Sequence, residues 1–207
     1  AASIKQNVFN MKARGFNSAL EATLFNGDVP VEMFHNLLGI FQKKLPLWHK
    51  YWRIRRKALG VKTLHPYDVW APLTTKKHKV PFETAVDWIC EGLAPMGDEY
   101  VNTMRKGCLE DRWVDWSPNA GKREGAFSTR VPSDTHPFIM MSYTDDVGSM
   151  STLSHELGHS VHAYYASRAQ PMVYYTYPSI IAETASNFNQ AMTRAHLLKT
   201  NPSKSFQ

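Results

Sequence analysis

The stretch "SHELGHSVHAYY", residues 154–165, constrains this chain more than any other. Read as part of a helix over 145–167, it places Val147, Met150, Leu153, Leu157, Val161 and Tyr164 on one apolar stripe. At about 100° per residue, His155, His159 and His162 then gather on the opposite side. Thr144 or an adjacent aspartate supplies the N-cap. His155 and His159 lie one turn apart, so both imidazoles can reach a single metal about 2 Å from each nitrogen. Glu156 flanks that face. It is offset too far to ligate and lies close enough to touch a water on the metal, which is the physical content of the HExxH pattern. Gly158 costs about 1 kcal/mol in a helix interior relative to alanine, so another segment is expected to pass close by. His162 follows His155 by seven residues, a rise of about 10.5 Å. It therefore lines the site or packs beside it without sharing the metal.

A third ligand has to come from another element. The spacing predicts a further helix over 179–198, with Ile181, Ala185, Phe188, Met192 and Ala195 as its apolar stripe. Glu183 stands off that stripe in an otherwise uncharged first half. Two roles are open to it: metal ligand, or complement to the helix dipole. Two histidines and one carboxylate would leave a fourth position for water, as a catalytic metal requires.

The rest of the chain reads as mostly helical. Residues 17–25 form a short helix closed by the turn "NGD", and Pro30 suits the start of the next. From Val31 the apolar residues Phe34, Leu37, Leu38, Phe41, Leu45 and Trp48 fall at helical spacing. Pro46 is placed to kink or divide that helix before it resumes up to Gly60. Residues 61–81 read as loop. Two helices follow at 82–93 and 95–107, the second opened by Pro95. Residues 113–137 are rich in turn formers. "FIMMSY" (138–143) is the one convincing strand, and a short strand at 126–131 can pair with it through "PSDTHP".

The net charge of +6 is concentrated in "KYWRIRRK" (50–57) and "TTKKHK" (74–79). No nucleic-acid motif accompanies these clusters, so they read as a solvated helix face and a loop, with no nucleic acid as partner. No apolar run is long enough to span a bilayer, the polar, basic start lacks a signal-peptide pattern, and no membrane partner is expected. A first residue other than Met suggests that the natural N-terminus lies further upstream. Two isolated cysteines, Cys90 and Cys108, point to free thiols in a reducing, cytoplasmic setting.

Three stretches, "GKREGAFSTRVPSDTHPFIMMSY" (121–143), "STLSHELGHSVHAYYASRAQPMVYYTY" (151–177) and "IIAETASNFNQAMTRAHLL" (180–198), resemble the oligoendopeptidase F branch of the thimet oligopeptidase family of zinc metallopeptidases. A weaker likeness runs through 13–25. The resemblance implies that His155, His159 and Glu183 ligate one Zn2+ per chain and that Glu156 is the general base. It implies short peptides as substrates and a mainly α, zincin-like helical catalytic domain with one short β-hairpin or edge strand near the metal. Residues 1–207 would form a single, partial catalytic domain: a helical scaffold (1–112), loop and short strands (113–143), and zinc-binding helices (144–207). Residues 137–143 would be an edge strand able to pair with an extended peptide.

Family members run to about three times this length, beyond one typical domain. The C-terminal helices that carry their substrate-binding His and Tyr residues are thus expected on a further segment of the same protein. The alternative to a peptidase is then a metal-binding but catalytically incomplete fragment that needs that segment as a partner. Gln190 stands where the family usually carries an acid that can orient a ligating histidine, and its amide can hydrogen-bond there with less electrostatic pull. His136, His162, Tyr174, Tyr175 and Tyr177 are candidate substrate or oxyanion contacts, each with an equally available reading as a packing residue.

Overall fold

The computed structural model describes residues 2–74, 78–129 and 135–201. They gather into two compact units, Ala1–Thr75 and Lys76–Gln207. The described chain is mainly α, with one small sheet. No helix among the described residues is long and apolar enough to cross a membrane.

The first unit holds α1 (Ala2–Ala13), α2 (Ala19–Phe25) and α3 (Val31–Ala58). The sequence reading did not anticipate α1. Ser18 caps α2, its hydroxyl accepting the Glu21 N–H at 3.0 Å. Helix α3 runs for 28 residues straight through Pro46. Proline there removes one backbone bond to Gln42, and Gln42 lies on an exposed turn, where water can take the freed carbonyl. The apolar spacing on α3 marks a helix, yet Leu37 and Phe41 are 65% and 51% exposed. Periodicity identified the element without identifying anything that covers it. In the basic cluster, Arg55 turns inward, its Nη2 donating to the carbonyls of Asp68, at 3.4 Å, and Ala71. It ties down a 3-10 turn at Pro66–Trp70 within the expected loop. Arg53, Arg56 and Lys57 face solvent, as expected. The cluster at 74–79 lies partly outside the described residues.

The second unit holds α4 (Phe82–Gly92), α5 (Asp98–Leu109), β1 (Val114–Asp115), β2 (Ala126–Thr129), β3 (Phe138–Met141), α6 (Val147–Ala169) and α7 (Ser179–Thr200). Phe82, Ala85, Val86, Ile89 and Cys90 bury one face of α4, in the i, i+3, i+4 pattern that burial on a helix requires. Pro95 opens a short 3-10 turn, Ala94–Met96, instead of α5. Gly97, at φ 95°, breaks the chain after it, and only glycine takes that conformation without strain. Trp113 lies flat over Gly107, where a side chain of any size would meet its ring at 2.3 Å. The buried Tyr143 donates its hydroxyl hydrogen to the Val80 carbonyl at 2.8 Å.

The strand order is β1-β3-β2, with β1 parallel and β2 antiparallel to β3. This corrects the expectation for residues 137–143: β3 is the central strand, and both of its edges are already paired. The sequence reading missed β1, whose two residues are too few to carry a pattern. The free edges belong to β1 and β2. The connection expected through "PSDTHP" lies partly outside the described residues.

Helix α6 starts at Asp146, whose Oδ1 accepts the Ser149 N–H at 2.7 Å. Its apolar stripe is buried as expected from Met150 through Val161. Helix α7 departs from expectation. Its buried residues are Ser186, Asn189, Thr193 and Leu197, whereas Ile181 and Phe188 are 48% and 52% exposed. The cause is close approach. A Cβ added at Gly158 would sit 2.6 Å from the Ser186 Cα, and one at Gly92 would sit 2.9 Å from the Thr193 Cα. A helix held that tightly against two others must put small residues in the contact, so its buried face is small and polar. Hydroxyls stitch the seam: Ser154 Oγ lies 2.9 Å from Thr193 Oγ1, and Tyr100 donates to Asn189 Oδ1 at 2.9 Å.

Gly158→Ala sets a helix-propensity gain of about 1 kcal/mol against a clash with backbone that cannot swing aside, for which overpacking costs of about 1–3 kcal/mol or more are expected. The clash should win, and the thermal midpoint of the variant should fall by several degrees. A midpoint at or above the parent's would show that α6 and α7 can part without cost.

Candidate metal centre

Helices α6 and α7 bring His155, His159 and Glu183 together. One ligand-capable atom from each lies within 4.8 Å of the other two. His155 Nε2 is 3.4 Å from Glu183 Oε2, and His159 Nε2 is 3.7 Å from Oε1. The two imidazole rings are 4.9 Å apart at 88°. Among the described residues this is the one group of three or more His, Cys, Asp or Glu placed to hold a metal. Two imidazole nitrogens and a carboxylate oxygen fit the donor set of a catalytic zinc, with one side left open.

The remaining electrostatics suit that use. Burial pushes His159 below the usual histidine range. Glu183 and the Ala182 carbonyl, which the ring hydrogen-bonds, pull it back up, while neighbouring His155 and His162 push it further down. A neutral ring is the form that ligates. Glu156 is 7% exposed. Burial holds its carboxyl above the ordinary range; His155 and the Ser128 amide, which donates to it, act to lower it, and Glu183 acts to raise it. The sequence reading did not foresee the Ser128 contribution. Ser128 belongs to β2, and its Oγ also lies 2.8 Å from Ser160 Oγ on α6. A second pair of small hydroxyl residues thus docks the sheet edge beside the HExxH helix.

The other candidates divide. His162 stands outside the three-ligand group and stacks on Tyr177, with ring centroids 4.1 Å apart. Gln190 donates to Ser151 Oγ at 2.8 Å, one turn before His155, so its amide braces α7 against α6 instead of holding a histidine. His136 donates from Nδ1 to the Pro137 carbonyl at 2.7 Å and packs against Phe138 and Trp113. Tyr174 is 72% exposed on the α6–α7 connection, and Tyr175 is buried there. Ser186 had not been singled out. Its hydroxyl donates to Glu183 Oε2 at 3.0 Å, and the available signal was a small polar residue one turn after a candidate ligand.

A small sheet edge thus stands beside the HExxH helix, and the following helix supplies the carboxylate of the three-residue group. The chain matches Peptidase family M3 over residues 2–207 and belongs to that family. It is 41% identical over 197 residues to the oligopeptidase PepF of Bacillus subtilis, covering 95% of this chain and 29% of that protein. A solved protein of Chlamydophila abortus is 37% identical with a TM-score of 0.80, covering 98% of this chain and 34% of that one. The solved oligoendopeptidase-F of Enterococcus faecium is 27% identical with a TM-score of 0.59, covering 98% and 28%. The chain thus spans about a third of the length of these relatives.

A carboxyl with a raised folded-state pKa holds more protons folded than unfolded. Stability therefore falls as pH rises from the ordinary glutamate value of 4.5 through the raised one. In metal-free protein, Glu156→Gln should raise the thermal midpoint at pH 7, and the gain should vanish below about pH 4. Equal midpoints at pH 7 would show that the carboxylate is not disfavoured by its burial.

Proposed function

We propose that this chain is the metal-holding part of a zinc-dependent oligopeptidase that hydrolyses short peptides. In this reading His155, His159 and Glu183 hold one zinc ion per chain, and Glu156 is the general base. The observation that carries it is the convergence of those three side chains beside a buried glutamate. Membership of Peptidase family M3 and likeness to an oligopeptidase support it. Zinc held there would supply Lewis-acid chemistry, polarising the scissile carbonyl and acidifying water. The Glu156 carboxylate would take a proton from the attacking water and pass it to the departing amine nitrogen. Burial, which raises its pKa, strengthens it as a proton acceptor.

An extended peptide would pair with the outer edge of β2, the free edge nearest Glu156 by way of Ser128. The stacked His162–Tyr177 pair, whose histidine acts electrostatically on His159, is the best placed of the candidate substrate contacts. Both cysteines are free and buried, which supports a reducing, cytoplasmic setting.

A second reading is favoured by the exposed apolar residues Ile181 and Phe188 on the helix that carries Glu183. The chain then holds the metal but needs a further segment over α7 for turnover. Elemental analysis and a peptide-cleavage assay separate the two. About one zinc per chain, much less in Glu183→Gln, and cleavage abolished with zinc retained in Glu156→Gln are the results expected of a peptidase. Zinc without cleavage, with activity restored by a segment added in trans, would select the second reading. No zinc after reconstitution would overturn both.

A further inference from the structure

We propose that Ser186 is a positioning residue for the metal centre: its hydroxyl fixes which Glu183 oxygen faces which histidine. The inference rests on the metal-site reading above and adds a residue to it. Ser186 is fully buried. Its Oγ lies 3.0 Å from Glu183 Oε2 and 3.1 Å from the Glu183 backbone carbonyl. Oε2 is also the oxygen that faces His155, while Oε1 faces His159. The hydroxyl thus engages one carboxylate oxygen and leaves the other uncommitted toward His159.

Glu183 needs such a partner. Its side chain is 49% exposed, so its torsions are free to carry the carboxylate into solvent, and ordering them costs entropy on binding. The one hydroxyl hydrogen is shared between Oε2 and the Glu183 carbonyl, and its hold on Oε2 removes part of that cost in advance. The donor itself is immobile for a reason written into the neighbouring helix. The Ser186 Cα packs where Gly158 lacks a side chain, so the serine cannot shift without parting α6 from α7. The close approach at Gly158 therefore sets the position of a ligand, one hydrogen bond removed. A serine that merely satisfied its own helix would need only the Glu183 carbonyl.

The test is zinc affinity of the 207-residue chain, by competition with a chromophoric chelator at fixed pH, together with the thermal midpoint of the metal-free protein. Ser186→Ala should weaken zinc by about 10–100-fold, the usual effect of removing a group that orients a ligand. Ser186→Cys, close in size but a poor donor, should weaken it comparably and carries the test if the alanine variant does not fold. Thr193→Val removes a buried hydroxyl contact across the same helix pair without touching Glu183. It should lower the midpoint and leave zinc affinity within twofold. Zinc binding by the parent with unchanged affinity in Ser186→Ala and Ser186→Cys would overturn the inference and leave the proposed function standing. A loss in Thr193→Val as large as in Ser186→Ala would assign the effect to helix packing and overturn it equally. A parent that binds no zinc would overturn the proposed function, and this inference with it.

Discussion

The contact between α6 and α7 at Gly158 governs the site. Most helix pairs keep their axes about 8–10 Å apart because side chains separate them. Here a missing Cβ lets the Ser186 backbone settle directly on the HExxH helix. Glu183 lies one turn before Ser186, so the same contact that closes the helices delivers the carboxylate to His155 and His159. An alanine at 158 would favour the helix in isolation and oppose the assembly. Where local propensity and tertiary packing conflict in this way, the conflict commonly marks a functional site.

Close packing also explains the composition of α7. Large side chains on its inner face would hold the helices apart, so that face carries Ser186, Asn189 and Thr193, and the contact loses apolar burial in return. Ser154 with Thr193 and Gln190 with Ser151 bond across the pair, and Tyr100 of α5 bonds to Asn189 Oδ1, while Asn189 Nδ2 is buried without a partner. A buried polar group left without a partner costs about 1–3 kcal/mol, so these bonds matter to the fold. The Ser154–Thr193 and Gln190–Ser151 contacts also give the helix pair a fixed register.

This is why the sequence was legible in one helix and misleading in the next. Helix α6 has a conventional apolar stripe, and its histidine spacing follows from backbone geometry alone, so both could be read directly. Gly158 could be read too, because its cost in a helix called for a neighbour that the structure supplies. The inner face of α7 could not be found by its hydrophobic period, since Ser186, Asn189 and Thr193 carry most of it and Leu197 alone of its fully buried residues is apolar. Ile181 and Phe188 set that period, and they face outward. Likewise α3 has the right spacing for a helix but leaves Leu37 and Phe41 largely exposed, because periodicity reports a shared face and not its partner. The pairing of β2 with β3 was read correctly, and only the edge position of β3 was misread, for a different reason. The continuous apolar run of residues 138–141 marks a strand, but strand order depends on β1, a two-residue element with no pattern of its own.

The two glutamates show how one helix pair can give the same side chain two environments. Glu156 projects from α6 into the packed side of the site. There it meets the Ser128 amide, loses nearly all contact with water, and has its carboxyl pushed upward by that burial. Glu183 projects from α7 toward the open side, half exposed, with a serine hydroxyl and two imidazoles around it. Desolvation favours the neutral form of the first, which suits a group that must gain and give up a proton. The difference in environment is set by which helix carries each residue and how closely the helices meet, and it supports the proposed division into base and ligand.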